Sequence, residues 1–369
     1  MLFYLNNSLI VGKKSPKYHD VCRAIFNIAH SALSSYHLLL GDLDVIEFFR
    51  EQFKGDPIIG PLFNELYQHY STNTIPHCLT HYLEIVLDNP HSRKEGMVEI
   101  HQKSYSDFLF PGMSSETSFV CEDFNDSELF AHILKQFMKE QAINASFAFH
   151  SLNGGGANTH RVVEKELNDQ HFTICIVDKD IRFPGNQPDN NSTCKKCEGI
   201  GQSNINYKLI VLDVHEIENI IPLNYIDLFD IWKSGHPQDA VNKRAFDYLK
   251  SDSENILPFF DYKKGIRKNE LFRTNHDYQN FAQKCYELNE DKMSLESNFS
   301  IFVGSINDDD VIYEALLSGS GIITRTIQLI KLKDVSLIPD LTDYQKVEWE
   351  KIGVAMLNWC IARNSESIH

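Results

Sequence analysis

The stretch Phe172-Thr173-Ile174-Cys175-Ile176-Val177-Asp178-Lys179-Asp180 decides how this chain reads. Phe172–Val177 is a mostly apolar run of strand length, with Thr173 its one polar residue, as expected of a strand buried on both faces. It ends in two carboxylates one residue apart. Side chains alternate along an extended chain, so Asp178 and Asp180 are expected on one side of it. Two like charges placed together call for a cation, and a hard divalent ion such as Mg²⁺ (or Mn²⁺) suits oxygen donors. The plainer alternative is that Asp-x-Asp starts a turn.

Working outward, Ser118–Cys121 is a short strand-like run ending at Glu122, and Asp123–Asp126 is turn-rich. Ser127–Gln141 carries Leu129, Phe130, Ile133, Leu134 and Phe137 at helical spacing, with Asp126 or Ser127 as the cap. Ala145–His150 reads as a second strand, followed by Gly154-Gly155-Gly156-Ala157-Asn158 and a helix over Thr159–Asn168. Tyr207–Leu212 is a further strand, followed by His215-Glu216-Ile217-Glu218-Asn219. Strand, helix, strand, helix, strand, insertion, strand implies an α/β fold with a parallel sheet. Glu122, Asp178, Asp180 and Glu216 or Glu218 each follow a strand. In a parallel sheet they would meet at one edge, as phosphoryl-transfer chemistry with one or two Mg²⁺ ions requires.

These motifs resemble a TOPRIM domain, the metal-binding module of topoisomerases, primases and overcoming-lysogenization-defect nucleases. More narrowly, the chain is similar to TOPRIM-like effectors found beside ABC-type ATPases in bacterial anti-phage systems. The resemblance covers about residues 116–235. It implies a Rossmann-type core in which Glu122 is a general acid or base, or a ligand, and Asp178 and Asp180 are Mg²⁺ ligands. Glu216 or Glu218 joins them, with Glu218 preferred because Glu-Asn is the motif's common ending. The family has Gly after the first-strand Glu, where this chain has Asp123. That departure admits either an additional metal-facing carboxylate or a decayed site.

The Gly154–Gly156 turn offers backbone N–H groups that can cradle a phosphate, or it is only a flexible turn. A basic, aromatic-rich stretch includes Lys243, Arg244, Lys250, Lys263, Lys264, Arg267, Lys268 and Arg273. Lys263, Lys264 and Arg267 are the candidates for nucleic-acid contact. Interleaved Asp247, Asp252, Glu254, Asp261 and Glu270 dilute that patch, and the chain's net charge of −16 opposes it.

At 369 residues the chain is expected to hold two or three units. Residues 1–115 read as a mostly helical region, with runs over Tyr18–Leu40, Ile58–Tyr70 and His77–Leu87. His77 and His81 would share a helix face there, with no evident third metal ligand. Residues 116–235 are the TOPRIM-like domain, with a loop insertion over 181–206. Residues 236–369 read as mostly helical, with a strand over Ile301–Ile306, a helix from Asp310 and a long helix over Tyr344–Arg363. Cys194-Lys195-Lys196-Cys197 in the insertion is half of a zinc site, completed by a distant ligand or across a homodimer if at all. Eight scattered cysteines fit a reducing, cytoplasmic compartment, and neither a membrane span nor a signal peptide is expected.

The expected function is a Mg²⁺-dependent nuclease cutting DNA or RNA, including tRNA, as a toxic defence effector. Without a Walker A motif, any ATPase must be a regulatory partner protein. The alternatives are a non-catalytic interaction protein on a decayed TOPRIM scaffold, or a haloacid-dehalogenase-type phosphatase with the first Asp as nucleophile.

Overall fold

The computed structural model describes residues 1–72, 75–201, 204–233, 235–272, 276–317, 321–333 and 337–364. Two sheets organise it. The first contains β1 (Leu2–Leu5), β2 (Leu38–Gly41), β3 (His81–Val86), β4 (Arg93–Glu95) and β5 (Val98–Ser104), in the order β2-β1-β3-β5-β4. All its pairings are parallel except the β4–β5 hairpin at one edge. Helices α1 (Tyr18–Leu33), α2 (Leu43–Gln52) and α3 (Ile59–Gln68) supply its crossovers. The expected helical N-terminal region is therefore half wrong. His77–Leu87 contributes β3 rather than a helix, and 97–107 contains β5. Short apolar runs suit either state, and only the parallel partners on β1 and β5 decide. His77 lies in a 3-10 turn and His81 on β3, so they share no helix face.

The second sheet is the expected parallel one. It contains β6 (Ser118–Cys121), β8 (His150–Asn153), β9 (Thr173–Val177) and β10 (Tyr207–Val211), in the order β10-β9-β6-β8. The central strands β6 and β9 are buried at every residue, which is why their sequences are continuous apolar runs rather than alternating ones. Helix α4 (Asp126–Glu140) joins β6 to β8, and α5 (Thr159–Asn168) joins β8 to β9. The second strand starts later than expected. Ser146–Phe147 forms β7, which instead pairs antiparallel with β13 (Ile361–Ala362) near the C-terminal end. The insertion also contains a helix, α6 (Thr193–Glu198), capped by the Ser192 hydroxyl.

Past β10 the chain is mainly helical, as expected. It runs through α7 (Leu223–Asp227), α8 (Pro237–Leu249), α9 (Ser253–Ile256), β11 (Ile266–Arg267), α10 (Lys268–Leu271) and α11 (His276–Leu288). It continues with α12 (Glu290–Leu295), α13 (Phe299–Ser305), β12 (Val311–Tyr313), α14 (Gly321–Lys333) and α15 (Asp343–Cys360). Two expectations are exchanged here. The 301–306 run is helical, and the segment from Asp310 forms β12, paired with β11. In α15, Trp349, Ile352, Ala355, Met356 and Trp359 are all buried, so this stripe is core.

The three regions share one apolar core. Phe172 of the middle region lies 5.8 Å from the Phe3 ring and 6.3 Å from the Trp359 ring. Among the described residues, no helix is long and apolar enough to cross a membrane.

Candidate metal centre

The second sheet's connections diverge at β6. The chain goes to β8 on one side and later to β9 on the other. Such a reversal opens a crevice beyond the carboxyl ends of the two central strands. Glu122 follows β6 and Asp178 follows β9, so both stand in that crevice. The two are in direct contact, with the Asp178 amide donating to Glu122 Oε1 at 3.4 Å.

The glycine turn builds this arrangement. Its amides are not free for a phosphate. The Gly154 N–H donates to the Cys121 carbonyl at 2.8 Å, and those of Gly155 and Gly156 donate to the Glu122 carbonyl at 3.2 and 3.3 Å. The turn therefore clamps the end of β6, and the phosphate-cradle expectation for Gly154, Gly155 and Gly156 gives way to a structural role. A Cβ on Gly154 would fall 2.8 Å from the Cys121 carbonyl oxygen and closer still to the Thr159 hydroxyl. Gly154→Ala is expected to destabilise the protein by about 2 kcal/mol, measured by denaturant unfolding. An unchanged midpoint would mean the clamp yields freely.

Asp178 and Asp180 do not alternate as an extended chain would place them. The strand ends at Val177, and Asp180 adopts a left-handed conformation with φ of 57°. Its amide donates to the His215 carbonyl at 3.2 Å, which ties the β9 exit to the β10 exit. Asp123, at the position where glycine was expected, is not left-handed and needs no glycine. It is exposed, and its carboxylate accepts the Asn125 amide at 2.9 Å. The additional acid is Asp126 instead. It opens α4, is only 8 % exposed and accepts the Asp123 amide at 3.0 Å. In the sequence Asp126, like Ser127, has only the pattern of a helix cap. Its position four residues beyond Glu122, at a helix start directly after a strand, was the available signal.

The β10 exit supplies the other side. Glu218 is 3 % exposed, and its Oε2 is buried with no hydrogen-bond partner. Glu216 caps a 3-10 turn over Ile217–Ile220 in a box with Asn219. The Asn219 amide group donates to the carbonyls of Leu257 at 2.6 Å and Phe260 at 2.9 Å. This docks the Phe260–Gly265 segment against the crevice. There Asp261 accepts the Lys263 and Lys264 amides, and Gly265 turns at φ of 66°. The turn delivers Lys263 Nζ to 2.9 Å from Glu216 and 3.2 Å from Glu218.

The expected nucleic-acid contacts are corrected by this pairing. Lys263 is taken up by Glu216 and Glu218. Lys264 lies 3.6 Å from Asp261, and Arg267 donates to the Asp309 carbonyl at 3.3 Å. Lys243 and Lys250 share Asp227 and Asp247, and Arg244 faces Asp291. The basic run is thus locally neutralised rather than a cationic patch. Arg273 lies outside the described residues. Cys194 and Cys197 are fully buried against Val120, Val163, Cys175 and Val177, which makes them apolar packing rather than half of a zinc site.

Burial pushes Glu122 up to about 7, with Asp180 adding repulsion, and it pushes Asp126 to about 7 as well. Asp178 is raised well above the carboxylate range by burial and then by Glu122. Asp180 and Glu218 are also raised by burial, and Lys263 partly offsets the shift at Glu218. Asp261 behaves oppositely. Burial works against its charge, but His215 and the Lys264 amide hold it at about 2.

Glu122, Asp126, Asp178, Asp180, Glu216 and Glu218 thus influence one another electrostatically beyond these strand ends, and His215 stands beside them with its ring nitrogen, a Glu216 oxygen and an Asp261 oxygen within 4.8 Å of one another. The donor set is rich in oxygen, Glu218 Oε2 is buried without a hydrogen-bond partner, and burial raises the pKa of Glu122, Asp126, Asp178, Asp180 and Glu218. That environment fits a hard divalent cation such as Mg²⁺ or Mn²⁺. No protein family, curated protein or solved structure matches this chain.

Proposed function

We propose that this protein is a Mg²⁺-dependent nuclease of TOPRIM type, hydrolysing phosphodiester bonds of DNA or RNA from the crevice at the carboxyl ends of β6 and β9. The observation that carries the reading is the convergence of Glu122, Asp178 and Asp180 with Glu216 and Glu218 at the reversal point of a parallel sheet. Asp178, Asp180, Glu218 and Glu216 are the ligand set, and Asp126 stands behind them. When bound, the metal supplies Lewis-acid stabilisation of charge on the phosphate and lowers the pKa of its water.

Glu122, held at about 7, can take or give a proton near neutrality, as a general acid–base group must. Lys263 keeps Glu216 and Glu218 oriented and offsets their repulsion before substrate arrives. The overall negative charge and the paired lysines leave little to hold a polyanion, which supports a basic or ATPase partner that presents the substrate. The biological setting we propose is a cytoplasmic effector of anti-phage defence. The test is wild type against Glu122→Gln and Asp178→Asn, incubated with plasmid DNA and total tRNA, in Mg²⁺ or EDTA. Metal-dependent cleavage lost in both variants supports the reading. Cleavage that persists in EDTA or in both variants overturns it.

One observation favours a second reading. The Lys263 ammonium occupies a place between two acids that a metal would otherwise fill. On that reading the site is a scaffold with an internal counter-ion, and the protein acts by interaction alone. Metal titration separates the two, because the scaffold binds neither Mg²⁺ nor Mn²⁺.

The raised acids also set a pH dependence. Between their ordinary values and about 7, folded Glu122 and Asp126 hold protons that the unfolded chain has released. Stability of the metal-free protein must therefore fall as pH rises through that window, and level off above it. Metal needs the ionised forms, so its affinity should rise over the same range, by about 10-fold per pH unit for each competing group. Thermal melts from pH 5 to 8 in EDTA and in Mg²⁺ check both slopes. A metal-induced shift that does not grow with pH would separate these acids from the metal.

A further inference from the structure

A cavity of about 890 Å³ lies away from the carboxylate crevice, between the first sheet, the edge strand β10 and α15. Among the side chains lining it, His81, Glu99 and His101 form one group with metal-ligand chemistry. The parallel register sets His81 opposite Glu99 and Leu83 opposite His101. Glu99 and His101 are two residues apart, so both face the side that His81 faces. One potential ligand atom from each lies within 4.8 Å of the other two, and the imidazole centroids are 4.8 Å apart. Zinc ligands in a tetrahedron stand about 3.4 Å apart, which small side-chain rotations would reach.

The surroundings hold these groups in place. Ser92 Oγ lies 2.8 Å from His101 Nδ1, which leaves Nε2 as the ligand atom. The His81 ring stacks on Trp359 at 5.5 Å and 8°. Its strand end is tied to α15, because the Thr80 and His81 amides both donate to Asn358 Oδ1, at 3.0 and 3.2 Å. His81 Nε2 is buried and has no hydrogen-bond partner. An orphaned imidazole nitrogen is unfavourable unless something binds it. Burial lowers both imidazoles, His81 to about 3, so each is neutral and keeps a free lone pair at neutral pH.

The geometry points to a second metal centre, in which His81, Glu99 and His101 bind one ion of the Zn²⁺ class at the wall of this cavity. Two imidazoles and one carboxylate select a borderline transition ion over Mg²⁺, whereas a set of carboxylates such as Asp178, Asp180 and Glu218 does the reverse. Three protein ligands leave a fourth position open toward the cavity, as in zinc sites that bind water or a substrate.

Co²⁺ is the probe, since it reports ligand geometry by visible absorption and is displaced by Zn²⁺. Full-length protein is titrated with Co²⁺ in excess Mg²⁺, alongside His101→Ala, Glu99→Gln and Asp178→Asn. We expect one equivalent bound in wild type and in Asp178→Asn, with affinity at least ~100-fold weaker in His101→Ala and ~10-fold weaker in Glu99→Gln. Glu99 is exposed, so its variant decides the matter if His101→Ala fails to fold. No saturable Co²⁺ in wild type overturns the proposal. So does binding that survives Glu99→Gln unchanged, or binding that vanishes in Asp178→Asn.

Discussion

Asp178→Asn is expected to lower metal-dependent cleavage by at least ~10³-fold, about 4 kcal/mol of barrier, while making the metal-free protein more stable. The two signs follow from one cause. The Asp178 carboxyl sits among Glu122, Glu218, Asp126 and Glu216, and burial together with that repulsion holds it well above the carboxylate range. A neutral amide of the same shape removes the repulsion and also removes a metal ligand. Glu122→Gln should behave alike. Holding Glu122 at about 7 against an ordinary 4.5 costs on the order of 3 kcal/mol at pH 8. Melts in EDTA should therefore move up in both variants, and the further rise that Mg²⁺ gives wild type should disappear. General damage would lower the melt under both conditions. A variant less stable than wild type in EDTA would show that Asp178 serves as a structural acceptor.

Lys263→Met should do the opposite, with a loss of about 3 kcal/mol in the metal-free state. Lys263 is the one lysine or arginine within ion-pairing distance of Glu216 and Glu218 among the described residues. Its charge is reinforced by both acids despite burial. Methionine keeps the aliphatic stem and deletes the charge, leaving the buried Glu218 and the half-buried Glu216 without that compensation. Mg²⁺ at 100 times its dissociation constant returns about 2.7 kcal/mol, so the variant in saturating metal should be nearly as stable as metal-free wild type. Chemical unfolding with and without Mg²⁺ reads this directly. A loss that metal does not reverse would favour the scaffold reading, in which Lys263 permanently replaces the ion.

The acids themselves were legible because each follows an apolar run, and a parallel sheet must gather such positions at one edge. Glu122, Asp178 and Glu218 needed only local pattern and that rule. Asp126 was visible but was assigned to capping, because a cap and a buried acid look identical in one dimension. In one dimension Lys263 is only a positive charge in a basic, aromatic-rich run, which points to nucleic acid. Its actual partners lie 47 and 45 positions earlier, and Asn219 brings them together through the Leu257 and Phe260 carbonyls.

By itself the sequence determined the elements with strong periodicity: β6, α4, α5, β9, β10 and α15, and with them a parallel sheet ending in carboxylates. These elements follow from spacing within a few residues, where steric alternation and helical periodicity act. Tertiary structure alone decided the rest. It made 81–86 and 98–104 into parallel strands, whose hydrogen bonds depend on partners distant in the chain. It turned Asp180 left-handed against the His215 carbonyl, and it directed the Gly154–Gly156 amides inward. It also set His81 beside Glu99 and His101, since strand register is fixed by packing and hydrogen bonding across the sheet rather than by any residue's own preference.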